Sequence, residues 1–225
     1  MNRVIGICGF IGSGKDTVAD YLVSEHGFVR ESYAEPLKDA VAAVFHWPRS
    51  WLEGKTAEQR AWREQVDTWW AQRLGLPHLT PRWVLQQWGT EVCRRSFHDD
   101  VWIASMEHKI AKSSHDIVIS DCRFPNEIQS IKQQGGIVIW VRRGDLPEWY
   151  LCAWQENSTP EDEQWMLEDA QQLMEQRYPH VHASEWAWIN SDFDAVIDNN
   201  DSLASLYQQV NDLVLYRREA RVDRI

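Results

Sequence analysis

Apolar residues in this chain fall into short unbroken runs that alternate with helical stripes, and the runs are bounded by glycine, proline or acidic residues. Arg3–Cys8 is such a run and predicts a short buried strand, since a strand covered on both faces has no polar side to alternate with. After a glycine-rich loop, Thr17–Val23 carries Val18, Tyr21 and Leu22 at helical spacing, and Gly27 supplies the stop. Phe28–Tyr33 predicts a second strand, and Pro36 opens a helix that Leu37–Phe45 continues. Asp116–Ser120 and Ile137–Val141 predict two more buried strands, joined by a helix over Phe124–Gln134 that Gly135 and Gly136 close. Strand, helix and strand within about 30 residues form a βαβ unit. Phe193–Asp198 predicts a last strand, Asn199-Asn200-Asp201 turns the chain, and Leu203–Tyr216 forms a terminal helix. This alternation predicts an α/β fold with a parallel sheet and helices on both faces.

Two stretches break the pattern. Trp47–Thr80 is rich in Trp, Arg, Glu and Gln and reads as helical pieces around Pro48 and Pro77, an insertion over the core. Pro81 then opens a helix running through about Arg95, and Asp100 caps another that runs to Lys112. Gly144–Ile189 is acidic, is interrupted by Pro147, Pro160 and Pro179, and carries no strand signal.

Composition narrows the function classes. The chain has 225 residues, enough for one α/β domain with an insertion, and a net charge of −11. Proteins that follow a nucleic-acid backbone draw affinity from basic faces, so the acidic balance argues against a stable nucleic-acid partner. It leaves room for a small anionic substrate held by a local arginine cluster. Cys8, Cys93, Cys122 and Cys152 form no CxxC pair, which argues against a zinc knuckle and for free thiols in a reducing cytoplasm. The N-terminal apolar segment is too short for a signal peptide, and no apolar stretch is long enough to span a membrane. The 14 tryptophans read as core and interface packing, and the helices that carry them offer a surface for a homodimer.

The candidate chemistry begins in Gly9-Phe10-Ile11-Gly12-Ser13-Gly14-Lys15-Asp16, between a strand and a helix. Glycines let a triphosphate approach the backbone and allow positive-φ turns, and consecutive N–H groups at a helix N-terminus form an anion nest. Lys15 reaches the β- and γ-phosphates. Asp16 stands where Ser or Thr is usual, so the Mg²⁺ role falls either to Asp16 or to Thr17 in a shifted register.

A second constellation is Asp121-Cys122-Arg123-Phe124-Pro125-Asn126-Glu127, at the C-terminal end of a predicted parallel strand, where ligands of such sheets bind. There Asp121 ligates Mg²⁺ through water or accepts a hydrogen bond from the acceptor, Arg123 binds phosphate bidentately, and Glu127 pairs with Arg123 or a ligand hydroxyl. Arg142 and Arg143 follow a buried strand and form a candidate clamp on the transferring phosphoryl group. Arg82, Gln86 and Arg94 are candidates for an acceptor's phosphate and base edges, with Trp88 or Trp102 as the flat partner of a base. His182-Ala183-Ser184-Glu185 is a candidate flap.

GFIGSGKDTVADYL, PLKDA, QQWGTEVCR with DDVWI, SDCRFPNE, HASE and DNNDSL occur in this order over nearly the whole chain. Together they resemble the deoxynucleoside monophosphate kinases of tailed bacteriophages and their bacterial relatives, in which an Asp after the loop lysine is a family feature. The resemblance implies a P-loop, three-layer α/β/α fold, with a core over 1–46, 96–143 and 190–225, a helical acceptor-binding insertion over about 47–95 and a lid over about 144–189. It implies transfer of the ATP γ-phosphate to a deoxynucleoside monophosphate (dNMP) with Mg²⁺, in the cytoplasm of a bacterial host for a phage-encoded chain. It implies a donor site of Gly12, Ser13, Gly14, Lys15, Asp16 and Thr17, an acceptor side of Lys38, Arg82, Trp102, Asp121, Arg123 and Glu127, and lid-base arginines at Arg142 and Arg143. The tryptophan-rich insertion departs from the family pattern. Three other readings stay open: a related kinase acting on a modified base such as 5-hydroxymethyluracil within DNA, another P-loop small-molecule kinase such as dephospho-coenzyme A kinase, and a nucleotide-binding regulatory module without transfer activity.

Overall fold

The computed structural model describes residues 2–158, 174 and 177–222 of the chain. The strands are β1 (Val4–Cys8), β2 (Val29–Glu31), β3 (Ile117–Ile119), β4 (Ile137–Arg142) and β5 (Ala195–Asp198). The helices are α1 (Lys15–His26), α2 (Glu35–Phe45), α3 (Ala57–Arg63), α4 (Thr68–Leu74), α5 (Pro81–Gln86), α6 (Val101–Lys112), α7 (Pro125–Gln133), α8 (Tyr150–Ser158) and α9 (Leu203–Val222). The chain divides into two compact units, one made of Met1–Glu31 with Lys109–Ile225 and the other of Ser32–His108.

The first unit contains a sheet in the order β2-β3-β1-β4-β5, with every neighbouring pair parallel. Side-chain alternation assigns the two faces. Ile5, Ile7, Ile137, Ile139 and Val141 join Val18, Ala19 and Leu22 of α1 and Leu206, Val210 and Val214 of α9 in one buried cluster. On the other face a Cβ added to Gly6 would come within 2.6 Å of Ile131 in α7, so helix and strand pack there in close contact. The predicted α/β fold is therefore observed as helix, parallel sheet and helix in layers.

The strands predicted over 3–8, 28–33, 116–120 and 193–198 are each observed shorter, and at the starts of β3 and β5 one reason is shared. Asp116 accepts the Arg3 N–H on its own carboxylate at 2.6 Å, and Asp194 likewise accepts the Val138 N–H at 2.9 Å. A side chain thus takes the bond that would otherwise extend the ladder. Because β1 is flanked by β3 on one side and β4 on the other, the chain's crossovers diverge at β1, and the C-terminal ends of β1 and β3 form the crevice in which ligands of open parallel sheets bind. The expected lid over about 144–189 lies partly outside the described residues; the described part begins with α8 and resumes before a short 3₁₀ turn at Ala183–Glu185.

The second unit is helical. Phe45 stacks on Trp47 at 4.5 Å, and Trp62, Trp70, Trp83, Trp88 and Trp102 pack around a buried cluster that includes Leu37, Val41, Leu52 and Leu79. The indole N–H groups of Trp47 and Trp70 are satisfied by Asp67 Oδ2 and the Phe45 carbonyl. The helix predicted from Pro81 is α-helical only to Gln86, and Gln87–Phe97 continues it as a π-helix. Hydrophobic spacing over so few residues does not separate the two periods. Close packing accompanies the wider coil: a Cβ on Gly89 would lie 2.8 Å from Leu37 Cδ2, and Trp102 Nε1 donates to the Gly89 carbonyl at 2.9 Å.

Glu53 accepts hydrogen bonds from Lys38 at 2.7 Å and from Arg49. Burial alone would raise the Glu53 pKa, but these bonds and the two charges outweigh it and hold the carboxyl at about 2, below the ordinary 4.5. A carboxylate with a depressed folded pKa stabilises above its unfolded pKa, and that contribution is lost as pH falls through the folded value. Urea unfolding followed by tryptophan fluorescence should therefore show stability falling between pH 4.5 and about 2, with Glu53→Gln flattening the curve in that window. An unchanged pH dependence in Glu53→Gln would assign the acid sensitivity to other carboxylates.

Candidate functional site

The turn from β1 into α1 is built on three glycines with positive φ, at +148° for Gly9, +80° for Gly12 and +100° for Gly14. Space enforces the choice as strongly as torsion does at two of them. A Cβ on Gly9 would lie 2.5 Å from the Val141 carbonyl and 2.7 Å from Ser13 Oγ, and one on Gly14 would lie 2.3 Å from Asn199 Nδ2. Gly14 caps α1 without a side-chain hydrogen bond, so the first-turn N–H groups are not committed to a capping side chain. Lys15 folds back and donates to the Gly9 and Phe10 carbonyls at 2.8 and 2.7 Å. Burial first, and then the Arg123 charge, bring the Lys15 pKa down to about 8. The Ser13 hydroxyl is buried with no protein partner among the described residues.

Asp16 is paired with Arg30 of β2. The same guanidinium reaches Asp20 at 2.9 Å and Ser120 Oγ at 2.7 Å, so it ties the first two turns of α1 to the residue before Asp121. The Asp16 side chain is still 79% exposed, which leaves oxygen surface for a metal. No local motif marks Arg30, because its partners lie in two distant segments, α1 and the residue after β3.

Arg123 is held at two points. Glu127 Oε2 accepts the Arg123 backbone N–H at 2.7 Å and that of Phe124 at 3.2 Å, which fixes the start of α7. Arg123 Nη1 donates to Glu185 Oε1 at 2.8 Å and to the Ser184 carbonyl at 3.3 Å. Burial alone would lower the Arg123 pKa, but the carboxylates of Glu185, Asp121 and Glu127 outweigh it and keep the guanidinium charged. The expected pairing of Glu127 with Arg123 is thus observed through the backbone, and Glu127 is buried. Asp121 stands beyond the end of β3, within the field of Arg123.

Three consecutive residues, the last of β5 and the two that follow it, brace the same region. Asp198 pairs with Arg142 at 3.0 Å, Asn199 Nδ2 donates to the Ser13 carbonyl at 2.8 Å, and Asn200 Oδ1 accepts the Gly144 N–H at 2.7 Å. Arg142 is exposed and so is Arg143, which follows it. The Arg142–Asp198 pair is exposed, so its role is orientation more than stability. The sequence predicts a turn at Asn199 but not its bond to Ser13.

The structure brings the loop, Lys15, Asp16, Thr17, Asp121, Arg123, Glu127 and Arg142 into the first unit. Lys38, Arg82, Gln86 and Trp102 belong to the second. There Lys38 is bound to Glu53 at 2.7 Å, Arg82 to Glu64 at 3.3 Å, and Trp102 packs with the tryptophan cluster through its bond to Gly89. Arg94 is buried, with Nη1 on the Asp99 carbonyl at 3.1 Å. No helix among the described residues is long and apolar enough to cross a membrane.

A loop of crowded glycines at a helix start, with a half-buried lysine and an arginine in mutual repulsion beside it, is suited to an anion carrying several charges. The chain is 34% identical to a protein of Acanthamoeba polyphaga mimivirus named as a deoxynucleotide monophosphate kinase, over 155 residues covering 62% of this chain and 74% of that one. It is 28% identical to the deoxynucleoside-5′-monophosphate kinase of Escherichia phage T5, over 182 residues covering 59% and 73% of the two chains. Among solved structures, a gluconokinase from Sinorhizobium meliloti superposes over 99% of this chain and 97% of its own with 14% identity and a TM-score of 0.43. A dephospho-CoA kinase from Campylobacter jejuni superposes over 96% and 97% with 16% identity and the same TM-score of 0.43. No protein-family model matches the chain.

Asn199→Ala removes the side-chain bond to the Ser13 carbonyl while leaving the glycines in place. A bond of this kind contributes roughly 0.5–1.5 kcal/mol, so triphosphate affinity should fall about two- to tenfold. Isothermal titration alongside a thermal melt checks this; unchanged affinity in a folded variant would remove Asn199 from the loop's support.

Proposed function

We propose that this chain, which belongs to the deoxynucleoside monophosphate kinase family, transfers the γ-phosphoryl group of ATP to the 5′-phosphate of a deoxynucleoside monophosphate. An acceptor phosphate oxygen attacks the γ-phosphorus, the bond from that phosphorus to the β–γ bridging oxygen breaks, and ADP and the deoxynucleoside diphosphate leave. The observation that carries this reading is the placement of Lys15 and Arg123 within each other's field in one unit, beside a loop that only glycines can form. Two cations held together against their repulsion are stabilised by an anion shared between them, and phosphoryl transfer depends mainly on such positioning and charge neutralisation.

In this scheme Gly12, Ser13, Gly14, Lys15, Asp16 and Thr17 hold the donor, and Lys15 neutralises the β- and γ-phosphates. Asp16, or Thr17 in a shifted register, would hold Mg²⁺, which would supply charge neutralisation at the transferring group. A nucleotide-borne magnesium needs only one or two protein oxygens, and the exposed Asp16 carboxylate, steadied by Arg30, fits that demand. Arg123 takes the acceptor's phosphate, Asp121 accepts a hydrogen bond from an acceptor hydroxyl or meets Mg²⁺ through water, Glu127 fixes the backbone at Arg123 and Phe124, and Arg142 and Arg143 serve the transferring group. Lys38, Arg82, Gln86 and Trp102 of the second unit are the proposed acceptor-specificity residues. The four cysteines stand as free thiols, as a reducing cytoplasm would keep them.

Incubation with ATP, Mg²⁺ and each deoxynucleoside monophosphate in turn, 5-hydroxymethyl-dUMP included, should give ADP and a diphosphate with at least one acceptor. No turnover with any acceptor would sink the assignment. Lys15→Ala should lower kcat by about 10²-fold or more, the scale seen when one preorganised charge-stabilising donor is removed. Arg123→Ala should raise the acceptor KM far more than the ATP KM, and equal effects would remove Arg123 from the acceptor side.

A further inference from the structure

We propose that Glu185 is a positioning residue for the acceptor, gripping one nitrogen of Arg123 so that the opposite edge of the guanidinium stays available for a phosphate. The inference rests on the reading that Arg123 binds the acceptor's phosphate, and it assigns a role to the His182–Glu185 turn that the donor loop and its lysine do not explain.

The turn is built to hold that carboxylate still. His182 Nδ1 lies 2.9 Å from Ser184 Oγ and 3.2 Å from Ser184 N, and the Glu185 N–H donates to the His182 carbonyl at 2.9 Å. The Glu185 carbonyl accepts from Trp188 Nε1 at 2.9 Å. Trp188 is buried, and its ring lies 4.9 Å from that of Phe10 in the donor loop. Glu185 is therefore fixed through its backbone on both sides, and its side chain is only 18% exposed.

Geometry at the arginine is one-sided. Nη1 takes both Glu185 Oε1 and the Ser184 carbonyl, whereas Nε and Nη2 have no protein partner among the described residues. A carboxylate bound across the fork would occupy the edge that recognises phosphate; one bound at a single nitrogen leaves that edge intact. With Glu127 on its main-chain N–H and Glu185 on its far end, Arg123 is held at both ends of a long side chain. Glu185 also lies in the field of Lys15 and offsets the repulsion between Lys15 and Arg123.

The test compares wild type, Glu185→Ala, Glu185→Gln, Arg123→Ala and the Arg123→Ala/Glu185→Ala double variant in steady-state kinetics, with acceptor binding measured separately without ATP. Freezing one rotamer-rich side chain is worth up to about tenfold, so Glu185→Ala should raise the acceptor KM and Kd by about that factor and leave the ATP KM within about twofold. Glu185→Gln, which keeps the packing and an accepting oxygen, should fall between Glu185→Ala and wild type, and it carries the test if Glu185→Ala fails to fold. In the Arg123→Ala background, Glu185→Ala should add nothing to the acceptor term. Equal rises in both KM values, a full additional loss in the double variant, or a lowered acceptor KM would each overturn the proposal, the last by making Glu185 a competitor of the phosphate. If Arg123→Ala itself leaves the acceptor KM unchanged, the reading of Arg123 fails; if wild type turns over no acceptor, the kinase reading fails.

Discussion

Between Cys8 and Lys15 the backbone must turn from a buried strand into a helix while lying against the Val141 carbonyl and the Asn199 amide, with no volume left for a β-carbon at Gly9 or Gly14. Much of the first unit serves that contact. Its position is set by the parallel pairing of β1 with β4, in which Cys8 stands opposite Trp140, so the loop emerges directly beside the end of β4. The residues after β5 then reach over from the next strand and hold the loop by a carbonyl. Sheet register, more than any single hydrogen bond, determines that a lysine at the start of α1 meets an arginine from the loop after β3.

Charge gives the site its second organising feature. Arg30, Arg123 and Arg142 of the first unit each meet a carboxylate. In a chain with 34 acidic and 23 basic residues, such pairing lets strong cations be stationed without making the surface attractive to long polyanions. A small phosphate that supplies better geometry than the resident carboxylate can still compete for the remaining donors.

The strands and the donor loop were legible because their information is local: apolar runs, glycines at fixed offsets, a lysine at a helix start. The support of the loop was not. Asn199 meets Ser13 across 186 residues, Arg30 meets Ser120 across 90, and Glu185 meets Arg123 across 62, and no pattern near any of these residues announces its partner. Glu127 stands out in its motif, but sequence could not show that its carboxylate would be buried on backbone N–H groups. The tryptophans were rightly expected in a core, while the π-helical continuation after Gln86 depends on packing against Leu37 that only the fold supplies.

Strand β2 is only three residues long, and two of them, Arg30 and Glu31, are engaged with Asp16, Asp20, Ser120 and Lys109. Exposed sheet edges invite strand addition from neighbouring molecules, and short edges with charged residues resist it. The opposite edge, β5, spans four residues and ends on Asp198, which is bound to Arg142. The side chains that brace the candidate site therefore also terminate the sheet at both sides, so the same pairings double as protection against edge-to-edge aggregation.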